Sequence, residues 1–158
     1  MKAASIREIK LELANLGQTE LIELLLTLSK FKKDNKELLS YLLYEAADEA
    51  LYIQNIKVEV DSLFTEINLS NYYFMKKTVR KILRQLKKYI RYSQNKATEA
   101  ELLLYFCTKL KALNPPINEN TVLSNLFIRQ KQLAEKAIGT LHEDLQYDFN
   151  ETLENLNL

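Results

Sequence analysis

Between Leu69 and Thr98 the chain carries nine basic side chains and no acidic one: Lys76, Lys77, Arg80, Lys81, Arg84, Lys87, Lys88, Arg91 and Lys96. Cations at this density have the chemistry of polyanion binding, because each can neutralise a phosphate and release its counterion. The whole chain has a formal net charge of only +1, so the residues outside these nine carry −8. Wound as a helix at about 100° per residue, the segment sorts completely. Met75, Val79, Ile82, Leu83, Leu86, Tyr89 and Ile90 fall on one face, and the eight cations from Lys76 to Arg91 fall on the other. Such a face runs about 25–30 Å. Tyr72, Tyr73, Phe74 and Tyr92 stand near its ends, where aromatic rings offer stacking surfaces to unpaired bases.

Three readings compete for this face. A charge run is by default a solvated or internally paired helix surface. The others are a nucleic-acid or other polyanion site and a docking surface for a protein. The counterweight lies in an acidic tail at about 143–158, with Glu143, Asp144, Asp148, Glu151 and Glu154 and no Lys or Arg after Lys136. Balance of the chain's own field is the simpler role for that tail.

Catalytic chemistry has little to work with. His142 is the only histidine, so two-histidine zinc and di-iron sites cannot be assembled in one chain. Cys107 lies in the apolar run Leu102–Cys107, the setting of a structural thiol rather than of a nucleophile paired with His142. Glu45, Asp48 and Glu49 share a helix face at i, i+3 and i+4, as a solvated face more readily than as a magnesium site. No glycine-rich phosphate loop occurs. The reading is therefore of no enzyme, no catalytic or metal-binding residue and no cofactor.

The elements that carry these residues are helical. With two Gly and two Pro in 158 residues, hairpins and doubly wound sheets lack their turn chemistry. The fold class predicted is all-α: a single-domain bundle over 1–158 of about seven helices. A HEAT-like stack of helix pairs agrees with the layout, although no motif repeats at a fixed period. A capping box Ser5–Glu8 opens the first helix, and Gly17 is read as its left-handed end. The second helix runs from Thr19 to about Lys33 and is apolar nearly all round, which predicts burial on several sides. Asp34 and Glu37 open a third, with a break between Tyr44 and Leu51; a fourth follows to about Asn68, and Ser70 or Asn71 caps the basic helix at about 72–93. Thr98 and Glu101 have capping-box spacing for a central helix that must stop before Asn114-Pro115-Pro116. A last helix runs from about Asn118 with a bend at Gly139. The second and sixth helices are expected innermost.

The segments Ile6–Lys10, Glu20–Leu24 and Lys30–Leu38 resemble a family of small bacterial helical proteins, a domain of unknown function, over roughly residues 5–45 and more weakly to about 110. The resemblance implies a bacterial cytoplasmic protein and carries no chemistry. The first helix, Gly17 and the second helix are also similar in outline to a SAP-type DNA-binding motif. The loop Leu16–Thr19 is shorter than that motif's and lacks its basic turn, so no DNA function is carried over.

No run approaches the ~18 apolar residues of a membrane span, and the opening MKAASIREIK has charges where a signal peptide needs an apolar core. A reducing cytoplasm is expected. The function expected is a non-enzymatic interaction module with a protein partner, with self-association among its forms and no membrane role. The alternative is nucleic-acid or other polyanion binding through the basic helix, and the second alternative is an enzyme with an unrecognised site.

Overall fold

The computed structural model describes all 158 residues and is all-α, with eight α-helices and no strand. The chain divides into two compact units, Met1–Tyr44 and Glu45–Leu158. In the first, α1 (Ile6–Ala14), α2 (Gln18–Phe31) and α3 (Lys33–Ser40) follow one another, and a π-type turn at Tyr41–Glu45 follows α3. The second holds α4 (Glu49–Thr65), α5 (Tyr72–Ser93), α6 (Lys96–Lys111), α7 (Thr121–Ile138) and α8 (Glu143–Glu154), with a 3-10 turn at Ile117–Glu119.

Short polar side chains set most helix starts by satisfying orphan amides of the first turn. At α1 the Ser5 hydroxyl accepts from the Glu8 amide at 3.3 Å, and the Glu8 carboxylate accepts from the Ser5 amide at 2.7 Å. Asp48, Asn71 and Asn120 accept from the amides of Leu51, Phe74 and Leu123. Gly17 is not the left-handed end of α1. Its φ is −76°, Asn15 closes α1, and the Gly17 amide donates to the Glu20 carboxylate at 2.8 Å to begin α2. Helix α3 starts at Lys33, one residue ahead of Asp34.

The core of the second unit forms around α6. Eight of its sixteen residues are buried, among them Leu102, Leu103, Phe106, Cys107 and Leu110. Helix α7 packs most extensively against it, α4, α5 and α8 make further contacts, and the Phe64 ring meets Phe106 edge-on at 5.7 Å. Thr98 does not cap this helix. Gln94 turns left-handed at φ 54°, and Asn95 accepts from the amides of Ala97 and Thr98, so the helix is already under way at Lys96. Thr98 is buried instead and donates to Glu49 Oε1 at 2.6 Å.

Helix α2, expected innermost, has no buried residue at all. Its leucines do need cover, but α3 is its one extensive partner within a unit of 44 residues. Three short helices cannot enclose one of their own number. The expected final helix is divided in two, which raises the count from seven to eight. Hydrogen bonds from the Thr140 and Leu141 amides to Ala137 and Ile138 close a turn after α7. His142 is extended, at φ −62° and ψ 149°, and its Nδ1 accepts from the Asp144 amide to start α8.

Candidate functional site

Helix α5 has the length and sidedness expected of it. Its apolar residues Met75, Val79, Ile82, Leu83 and Leu86 are buried, which fixes the opposite face outward. Lys77, Arg80, Lys81, Arg84 and Arg91 are exposed, while Lys76, Lys87 and Lys88 are half-buried at the flanks of the ridge. No carboxylate forms an ion pair with Lys76, Lys77, Arg80, Lys81, Arg84, Lys87 or Arg91. The acidic tail docks elsewhere. Leu156 is buried, the Asn155 carbonyl accepts from Lys111 at 3.0 Å, and Lys131 donates to Asn157 at 3.3 Å.

Two clefts border the ridge. One, of about 560 Å³, is lined by Phe74, Lys77, Lys81 and Arg84, with Asn68, Thr78 and the carboxylate of Glu66. The other, of about 360 Å³, lies between α5 and α7 and includes Arg80, Lys87 and Arg129 with no acidic residue. Burial holds the Lys87 ammonium below the ordinary lysine range, the nearby Arg129 charge adds to this, and Glu99 opposes it. Sequence reasoning missed Arg129, whose nearness to Lys87 exists only in the fold. It also missed Gln130, which is 2% exposed with Oε1 unpartnered while Nε2 donates to the Leu126 carbonyl. The signal for Gln130 was its place on the apolar stripe of Phe127, Ala134 and Ala137.

Of the four aromatic residues near the ridge ends, two are free to stack. Tyr73 is 69% and Phe74 42% exposed, their rings edge-to-face at 5.4 Å. The Tyr72 hydroxyl donates to the Pro116 carbonyl at 2.7 Å, and Tyr92 is buried.

No three of the His, Cys, Asp and Glu side chains are grouped so that they could hold a metal ion. Asp48 caps α4, and Glu49 accepts from the hydroxyls of Ser93 and Thr98. Burial pushes the Cys107 thiol up to about 12, against a weak opposing effect of Lys131, so thiolate is nearly absent at neutral pH. His142 is spent on its helix cap. Iodoacetamide at pH 8 should leave native Cys107 unmodified and label it fully once the chain is unfolded, as read by intact mass. Rapid labelling of the folded protein would mean an accessible thiol.

A polar knot on α4 and α6 is structural. Tyr105 donates to Asp61 at 2.6 Å, Lys109 pairs with Asp61 at 2.7 Å, and Lys57 pairs with Glu101 at 2.6 Å. Both ammonium groups sit about 5 Å from the Tyr105 ring centre.

The most unusual surface belongs to the N-terminal unit. Tyr41 is its only buried side chain. Thirteen large apolar residues besides Met1 are exposed there, including Ile22, Leu24, Leu26, Leu28 and Phe31 of α2, with Phe31 at 80%. An apolar cleft of about 230 Å³ between α2 and α3 is lined by Leu25, Leu28, Leu38, Leu39 and Leu42 with Ser29 and Asn35. No helix of the protein is long and apolar enough to cross a membrane. Comparison with protein-family models, curated proteins and solved structures finds no match to the chain.

Proposed function

We propose that this protein is a non-enzymatic interaction module that associates with a second copy of itself through its N-terminal unit. The observation that carries this reading is the near absence of a core in Met1–Tyr44: one buried side chain against thirteen exposed large apolar ones. Contiguous apolar surface beyond a few hundred Å² marks an interaction site. Thirteen half-exposed side chains expose on the order of 500 Å² of apolar area. One side of an ordinary homodimer interface, about 800 Å² and about 65% apolar, needs much the same.

Charge favours a second copy as the occupant. Met1–Tyr44 contains seven Lys and Arg and six Asp and Glu, so the surface is close to neutral and cannot repel itself strongly. On α2 the acids come early, at Glu20 and Glu23, and the bases late, at Lys30 with Lys32 and Lys33 just beyond. An antiparallel pair of α2 helices brings the acidic end of one copy alongside the basic end of the other. Leu24, Leu28 and Phe31, at i, i+4 and i+7, share one exposed face of α2 and supply the apolar contact. A two-fold axis then repeats each contact, as an isologous interface requires. A cytoplasmic setting belongs to this reading and is supported by the single, buried thiol.

Sedimentation equilibrium tests it. The wild type should give a dimer mass at tens of micromolar. Leu24→Glu with Phe31→Glu should give a monomer with unchanged helical circular dichroism. A monomeric wild type at 100 µM would overturn the proposal.

A further inference from the structure

We propose that α5 is a binding site for single-stranded nucleic acid, with the exposed pair Tyr73 and Phe74 as the base-stacking platform and Lys77, Lys81 and Arg84 as the phosphate contacts. This surface lies in the second unit and does not depend on how the N-terminal unit associates.

Phe74, Lys77, Lys81 and Arg84 recur at i, i+3, i+7 and i+10 and line one cleft, so they form a single row along the helix. The row is about 15 Å long at helical rise. Its cations have no ion pair within the protein. A polyanion would therefore neutralise them without first breaking an internal contact. Arg80, Lys87 and Arg129 add to the positive field from the neighbouring cleft, and the lowered proton affinity of Lys87 reflects in part the nearness of Arg129. Glu66 is the one carboxylate of the Lys77 cleft, too little to cancel three cations there.

The rings select for unpaired strands. An aromatic pair left 69% and 42% exposed keeps ring surface free beside a cationic row. Stacked bases in a duplex offer no free face, whereas a single strand can lay successive bases on aromatic rings while cations track its backbone. The buried Tyr92 and the hydrogen-bonded Tyr72 place the platform at the α5 N-terminal end alone.

Fluorescence anisotropy with a labelled 15-nucleotide oligo(dT), a 15-base-pair duplex and a heparin fragment at about 50 mM salt tests the proposal. Binding to oligo(dT) should be tighter than to the duplex, with log affinity falling by about 0.7 per contacted phosphate for each tenfold rise in salt. Tyr73→Ala with Phe74→Ala should weaken oligo(dT) binding by about 5- to 150-fold, the range for loss of one stacked base, and leave heparin binding unchanged. Lys77→Glu, Lys81→Glu and Arg84→Glu together should abolish binding of all three probes. All five residues are exposed, so circular dichroism should match the wild type. No binding to oligo(dT) at this salt would overturn the proposal. So would equal affinity for the duplex with no effect of the aromatic substitutions, which would reduce the ridge to a cationic surface without base contacts.

Discussion

Phe106→Ala should lower the unfolding free energy by about 3–5 kcal/mol, the largest single-residue loss expected in this chain. Phe106 is fully buried on the most enclosed helix, its ring edge-on to Phe64 and its neighbours Leu102, Leu103, Cys107 and Leu110 equally enclosed. Truncation removes the transfer free energy of the ring and leaves a cavity that close-packed neighbours fill only in part. Leu103→Ala should cost about 2–5 kcal/mol for the same reason. Urea denaturation checks both. A cost below about 1 kcal/mol at both positions would mean that the core lies elsewhere.

Gln130→Met should act in the opposite direction. Gln130 is 2% exposed on the α7 core stripe, and its Oε1 has no hydrogen-bond partner. An unsatisfied buried acceptor costs about 1–3 kcal/mol, and Met has a similar volume with an unbranched, adaptable side chain. The substitution forfeits one long bond, Nε2 to the Leu126 carbonyl at 3.3 Å, which a helix-interior carbonyl tolerates because it retains its helical partner. A gain of about 1–2 kcal/mol corresponds to a rise of roughly 2–8 °C in Tm for a chain of this size. A fall in Tm would show that the amide oxygen is satisfied in solution.

Helix α5 was legible in the sequence nearly to the residue. Its two faces are chemically unmixed, and Asn71, one of the two caps read for it, accepts from the Phe74 amide. The central place of α6 was equally legible, because in Leu102–Cys107 every residue but Tyr105, whose hydroxyl reaches Asp61, is apolar and buried. Helix α2 was misjudged from the same kind of signal. All-round apolarity reports that a helix requires cover, but not that its own chain provides it. The position of Thr98 was hidden by competition between two caps, and Asn95 wins because its carboxamide reaches two amides at once. The second break near Gly139 had a weak signature, since a non-glycine residue, His142, completes it. As for the ridge, its eight cations could be read directly from the sequence. The contribution of Arg129 could not, because it depends on α7 lying beside α5, and the same fold withdraws Tyr72 and Tyr92 from any stacking role by bonding one and burying the other.

The pairing of N-terminal units is tested most directly by amide hydrogen exchange of the full-length protein over a dilution series. Self-association through α2 adds protection by mass action, so residues 18–31 should exchange progressively faster as the protein is diluted from 100 µM to 1 µM. Residues 102–110 of α6 should be unaffected over the same range, since they open only with the second unit itself. Protection of residues 18–31 that stays the same at every concentration would contradict the central claim.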